Sequence, residues 1–271
     1  MSQVTLLTID NAHARATISL YGGQVLSFVP KHDGRERLFV SNKALLDGSK
    51  SIRGGIPVCW PWFGAWKGVA QSTPMPAHGY ARNRRWQVVT LEEGPDHTTL
   101  RLTLPDCHGP GFTHAAKLEL LLVIGATLTV ELTTANMGHE PFPLSMALHT
   151  YFAVDDTRQV QLQGLQGTYS DKTRNWAMLP TPASYRFTEE TDRIHLHATP
   201  QVDIVDGKHM TRVQSQGHDS VVVWNPWSDG SKAFADLAAD EYLRFVCVET
   251  ALTQGFTLEP GHNHTLHQTI A

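Results

Sequence analysis

Short runs in which apolar and polar side chains alternate dominate the chain. ATISLYG, QVLSFVP, RWQVVTLEE, TTLRLTLP, KLELLLVIG, TLTVELTTAN, DSVVVWNPW, YLRFVCVET and GFTLEPG are rich in Val, Leu, Thr and aromatics and bounded by Gly, Pro, Asn and Asp. That pattern predicts strands rather than helices. KLELLLVIGATLTVELTT predicts a hairpin turning near Gly125-Ala126-Thr127. Helical periodicity is scarce: SNKALLDG and GSKAFADLAADE are each expected to give a turn or two. Residues 153–215 are harder to read, with small strands expected around Val160–Leu165 and Arg193–His197. Regular strands over this length predict an all-β fold, a large antiparallel β-sandwich, with residues 1–271 as a single domain. The Gly/Pro-rich PDCHGPGF near residue 110 marks where a two-domain division is the alternative.

One of these runs, and one further segment, each set an ionisable residue in an apolar row. In EYLRFVCVETA a strand puts Leu243, Phe245, Cys247 and Glu249 on one face, with Tyr242, Arg244, Val246 and Val248 on the other. A carboxylate ends an apolar row, and burying an unpartnered charge is expensive. PLSMALHTYFAV likewise places Ser145, Ala147, His149 and Tyr151 on one face, against Leu144, Met146, Leu148 and Phe152. A lone histidine there is either a satisfied core residue or, beside a buried carboxylate such as Glu249, half of an acid–base pair.

Composition narrows the class. The chain has 271 residues, 41% hydrophobic and 18% charged, with net charge −4. A substantial core can form at that size, and nothing in the balance favours nucleic acid or an anionic membrane. Cys59, Cys107 and Cys247 form no CxxC pair. With no basic, then apolar, leader in MSQVTLLTIDNAHARATIS and no apolar stretch of membrane-spanning length, a cytoplasmic location is expected. Nucleotide-binding and esterase signatures are missing.

Three further clusters bear on chemistry. SIRGGIPVCWPWFG joins Arg53 to paired glycines and to Trp60, Trp62 and Phe63. Such aromatics either pack on the core or stack on a sugar, with Arg53 then in a surface ion pair or in the site. PAHGYARNRRW holds His78, Arg82, Arg84 and Arg85, either a solvated basic loop or, with Arg53, an anion site. In EETDRIHLH, Asp192 serves either a local ion pair with Arg193 or the gripping of sugar hydroxyls. Among 15 histidines, His195 with His197 and His262 with His264 and His267 lack a Cys or carboxylate at a familiar ligand spacing. No metal is expected, and the terminal histidines are expected on the solvent face of a last strand.

In this order, SIRGGIPVCWPWFG, AHGYARNRRW, LHTYF, the YSDK and ETDR pair, VVVWNPW with KAFAD, and FVCVET resemble the hexose-6-phosphate mutarotases (glucose-6-phosphate 1-epimerases), a branch of the aldose 1-epimerase family. The resemblance spans nearly the whole chain and implies a β-galactose-mutarotase-like fold and an isomerase without metal or organic cofactor. It matches Glu249 to the general base, His149 to the general acid and His78 to a second histidine near the ring oxygen. Asp192 matches the sugar-binding aspartate. Arg53 and Arg82 match arginines expected to hold the 6-phosphate, Arg85 only weakly, and Lys232 has no assigned place. The implied partner is a small sugar phosphate, bound by a monomer or weak homo-oligomer. A mutarotase for unphosphorylated aldoses, a non-catalytic sugar-binding module, and a lyase or hydrolase on a similar sandwich stay open as alternatives.

Overall fold

The computed structural model describes residues 3–69 and 74–271. Met1 and Ser2, the start of the stretch read above for a leader, lie outside the described residues.

Two large antiparallel sheets carry the fold, as the alternating runs predict. The first, eight-stranded, runs in the order Ala177–Pro180, Thr168–Asp171, Thr191–His195, Ser220–Asn225, Phe245–Leu258, Phe142–Leu148, Val58–Cys59, with Tyr151–Ala153 also pairing to Phe245–Leu258. The second, nine-stranded, runs Tyr185–Arg186, Gln161–Gln163, Gln201–Asp206, His209–Gln216, Asn263–Ile270, Leu128–Asn136, Ala116–Ile124, Thr98–Thr103, Gln87–Glu93. A smaller sheet joins Leu6–Asp10, Ala14–Ser19 and Gln24–Pro30. Leu120, Val130 and Leu266 from the nine-stranded sheet pack on Met146, Leu148 and Val248 from the other, so the main core is the layer between them. The fold is a large antiparallel β-sandwich.

Several elements differ from expectation. The hairpin forms, with Ala116–Ile124 paired to Leu128–Asn136. YLRFVCVET and GFTLEPG belong to one strand, Phe245–Leu258, whose register shifts between Leu252 and Phe256. Glu241–Arg244 before it is a 3₁₀ turn, so Leu243 drops out of the inward row while Phe245, Cys247 and Glu249 keep it. SNKALLDG forms no helix: the Asn42 N–H is taken by the Glu241 carboxylate and the Lys43 N–H by the Ser41 hydroxyl, leaving no i→i+4 ladder. In place of a helix over GSKAFADLAADE, the chain makes a short helix at Trp227–Lys232 and then turns. Those turns bring Phe234, Asp236 and Leu237 down onto the eight-stranded sheet. Among the described residues no helix is long and apolar enough to cross a membrane.

Phe245–Leu252 is buried at every position. One side of this central strand faces the inter-sheet core. The other faces a second apolar layer under covering loops, built from Cys59, Ala147, Val222 and Ala251 and from Tyr151, Phe245 and Cys247. The candidate site lies on that second side.

Candidate active site

Strand register brings the carboxylates together. Val222 pairs with both Glu249 and Ile194, and Trp224 pairs with both Cys247 and Asp192. Paired residues share a face, so Asp192 and Glu249 emerge on the same side, two strands apart. On the other flank, Leu148 pairs with Thr250 and Tyr151 with Cys247. His149 falls between them, where the strand lapses and its N–H donates instead to the Pro57 carbonyl (3.0 Å). Alternation nonetheless persists, and His149 Nε2 stands 3.4 Å from Glu249 Oε1.

This pair is deeply enclosed: Glu249 is 1% exposed and His149 8%. Burial pushes the Glu249 carboxyl well above its usual range, and nearby Asp192 adds to the shift against Lys172 and Arg82. Burial pushes His149 well below its usual value, helped by His78, Arg82 and Arg53. Both shifts favour the uncharged forms. Uncharged here means carboxylic acid at Glu249 and neutral imidazole at His149. Glu249 Oε2 and His149 Nδ1 have no hydrogen-bond partner.

His78 meets this pair from a covering loop. Its N–H donates to the Gly64 carbonyl (2.7 Å), and its Nδ1 accepts from the Gly64 N–H (3.3 Å). The ring stands edge-on to Phe63 and to His149, with centroids 4.9 and 5.6 Å away. Burial, then the positive charges of Arg82, Lys172 and Arg53, push its pKa down to about 3. A neutral ring whose Nδ1 accepts must carry its proton on Nε2, which makes His78 a fixed donor.

The arginines divide. Arg53 is held between Asp236 (3.2 Å) and the Tyr151 hydroxyl (3.1 Å), with its guanidinium 4.5 Å from the Phe234 ring centre. Gly54 and Gly55 beside it explain themselves structurally. Both have positive φ, and a Cβ would lie 2.3 Å from the Phe39 carbonyl oxygen at one and 2.2 Å from that of Val25 at the other. Arg82 donates to the Ala77 carbonyl (2.9 Å), its Nε is buried without a partner, and no carboxylate among the described residues pairs with it. Arg85 is exposed and reaches Thr5 (3.1 Å) beside the smallest sheet. It lines a surface cleft of about 250 Å³ with Arg84, Leu104, Pro105 and Asp106, which contains none of the buried site residues. Lys232 pairs with Asp229 on the surface (2.9 Å).

Asp192 is bound to Lys172 at 2.5 Å, and burial raises its pKa against that lysine. Lys172, Tyr151 and Asp236 were not singled out by sequence reasoning. Lys172 lay within the quoted YSDK motif; Asp236 lay in a segment expected to be helical, where no carboxylate signals its partner. Arg193, the neighbour of Asp192, turns away to bond Asp171 (3.1 Å). Two histidines outside the site have partners of their own: His195 contacts Thr181 and Tyr185 (both 3.2 Å), and His267 pairs with Glu131 (3.2 Å) from the outward face of Asn263–Ile270. Cys59, Cys107 and Cys247 are buried free thiols.

A carboxyl and an imidazole buried this deeply, flanked by a neutral donor and a guanidinium, are groups able to move protons between two oxygens of one small polar molecule. Comparison with known proteins points the same way. Residues 5–271 match the family model described as Aldose 1-epimerase. A protein of Escherichia coli named "Putative glucose-6-phosphate 1-epimerase" is 33% identical, over 97% of this chain and 89% of its own length. One of the same name from Cenchrus ciliaris is 34% identical, over 91% and 78%. A crystal structure from Salmonella typhimurium, described as a "putative mutarotase", superposes with a TM-score of 0.91 at 30% identity, covering all of this chain and 91% of the other.

Proposed function

The chain belongs to the aldose 1-epimerase family and is an isomerase of the mutarotase type acting on a sugar, and we propose that it interconverts the α and β anomers of a hexose 6-phosphate, glucose 6-phosphate foremost. Opening the hemiacetal removes the proton of the C1 hydroxyl and delivers one to the ring oxygen as the C1–O bond breaks. Rotation about C1–C2 and reversal of both transfers give the other anomer. Glu249 is the base at C1 and His149 the acid at the ring oxygen. The unpartnered Oε2 of Glu249 is the acceptor that a C1 hydroxyl would fill. Ring opening takes the pair from carboxylate and imidazolium to carboxylic acid and imidazole, with one proton held throughout. Burial favours the uncharged form of the pair, which is the form ring opening produces. His78 Nε2–H donates to a sugar oxygen, and Asp192 with Lys172 holds hydroxyls. All these steps use side chains of this chain.

Arg82 carries the phosphate assignment. Its positive charge is near enough to be felt at His149 and Glu249, yet no carboxylate among the described residues neutralises it. Guanidinium binds phosphate in a fixed, bidentate geometry. Arg53 is the second phosphate arginine, with part of its charge already taken by Asp236. That neutralisation is the observation favouring the other reading, a mutarotase for unphosphorylated aldoses. Exchange NMR on the anomeric protons separates them. Fast catalysed exchange of glucose 6-phosphate with weak exchange of glucose supports the phosphate reading; equal rates on both leave Arg82 without a substrate role.

We also propose a single domain over residues 1–271, working in the cytoplasm as a monomer or weak homo-oligomer. In support, Ile9, Leu120, Val248 and Ile270 share one core cluster, and the three thiols are unpaired. A single unfolding transition by both circular dichroism and fluorescence is the expected result.

A further inference from the structure

Behind the acid–base pair, on the core side of the same sheet, polar side chains form a chain of hydrogen bonds. Thr150 Oγ1 donates to Gln268 Oε1 (2.6 Å), Gln268 Nε2 donates to Thr250 Oγ1 (2.8 Å), and Thr250 Oγ1 shares a bond with Ser215 Oγ (2.7 Å). Gln268, Thr150 and Thr250 are fully buried, in a layer that otherwise holds Leu148, Val213, Val248 and Leu266. An amide in such a place is tolerable only because both its ends are bonded. Apolar side chains would fill the space without any desolvation, so packing alone gives no reason for it.

Sequence position supplies the reason. Thr150 follows His149, and Thr250 follows Glu249. Alternation sends the two hydroxyls into the core where the imidazole and carboxylate point into the site. The backbone ladder lapses at this very place. Phe142–Leu148 ends before His149 and Tyr151–Ala153 resumes after it, and the bond across to the Glu249 strand here, from Val248 N–H to the Thr150 carbonyl, is 3.3 Å long. Regular pairing does not lock His149 against Glu249 here. The amide of Gln268 reaches across from the opposite sheet and bonds both threonines.

We infer that Gln268 is a positioning residue for the acid–base pair: by bracketing Thr150 and Thr250 it holds His149 Nε2 and Glu249 Oε1 at their working separation. This rests on the acid–base roles given above. Small displacements at such a pair are costly to rate, on the order of 10²-fold for about 1 Å.

Gln268→Met keeps the length and removes both hydrogen bonds. With anomer exchange as the assay on the sugar that the parent turns over fastest, the expected result is a folded protein whose kcat falls about 10²-fold with KM within about twofold, as for lost transition-state alignment rather than lost binding. Thr150→Val should follow it, while Thr150→Ser, which restores the hydroxyl, should recover most of the rate. If Gln268→Met does not fold, the Thr150 pair reads the same contact. A kcat within twofold of the parent in Gln268→Met overturns the bracket, as does a Thr150→Ser variant as slow as Thr150→Val. Glu249→Gln is run alongside: if it keeps full activity, the acid–base reading itself has failed, whereas a dead Glu249→Gln with a fully active Gln268→Met removes only the bracket.

Discussion

Tyr151 lies flat against His149, with ring centroids 5.0 Å apart and 15° between planes, while its hydroxyl accepts a hydrogen bond from Arg53 (3.1 Å). The imidazole is thus fixed on one face by an aromatic ring that is itself tethered. Stacked rings of this kind contribute about 0.5–1.5 kcal/mol beyond burial. Tyr151→Phe keeps the stack and loses only the tether, so kcat should stay within about threefold. Tyr151→Ala loses both, and kcat should fall at least about tenfold, an extra barrier of about 1.4 kcal/mol. Equal losses in the two variants would mean that the hydroxyl matters and the stack does not.

The pH profile follows from the directions of the two shifts. His149 is pushed down, so as pH falls through the ordinary histidine value near 6.5 it does not take up a second proton. Glu249 is pushed up, so the pair keeps its one proton as pH rises past the ordinary carboxylate range. The acid limb of kcat/KM should therefore lie below the ordinary histidine value near 6.5. An acid limb centred at 6.5 would show that His149 titrates as if exposed.

Arg82 and Arg53 should separate in a comparison of substrates. Arg82→Ala is expected to raise KM for the phosphorylated sugar by one to two orders of magnitude, roughly the loss of a charge-assisted pair of about 1.5–3 kcal/mol, and to leave KM for the free sugar nearly unchanged. Arg53→Ala should raise the same KM less and lower kcat as well, because it also releases Tyr151 and leaves Asp236 buried without its partner. Identical penalties on both sugars in Arg82→Ala would make that arginine structural.

Asp171 and Arg193 form a buried pair (3.1 Å) that places both halves of the Lys172–Asp192 contact, since each partner is the chain neighbour of one of them. Removing one partner of such a pair typically costs about 3–5 kcal/mol, because the other charge loses its close partner; Arg193 would keep only exposed Glu189, at 3.7 Å. Asp171→Ala should therefore lower the unfolding free energy by about that amount, read from urea denaturation. Burial alone would raise the Asp171 pKa, but hydrogen bonds from Thr173 and Arg193 more than offset it and hold it below its usual value. Its contribution is therefore present above the unfolded carboxylate value near 3.9 and is lost as pH falls. The stability gap between parent and Asp171→Ala should accordingly narrow in acid. A gap that is unchanged at pH 3 would remove the pair from the stability argument.

Much of the site can be read from the chain because strand geometry is local. A period of two is enough to send His149 and Glu249 inward, to set Ala147 and Tyr151 on the same side as His149, and to expose the oddity of a carboxylate after Phe245 and Cys247. The runs from Ala116 to Asn136 determine their own hairpin for the same reason. What alternation cannot supply is which strand lies beside which. That Val222 stands opposite Glu249 and Trp224 opposite Asp192 depends on pairings between strands far apart in sequence, and only the folded sheet decides them. The same holds for charge. The sequence presents Arg53 and Arg82 alike, as arginines near aromatics. Tertiary structure sets Asp236 against one and, among the described residues, no acid against the other, and places Gln268 of the last strand beneath a histidine 119 residues away. Side-chain direction is written residue by residue; the partner that gives each direction its chemistry is chosen by the whole chain.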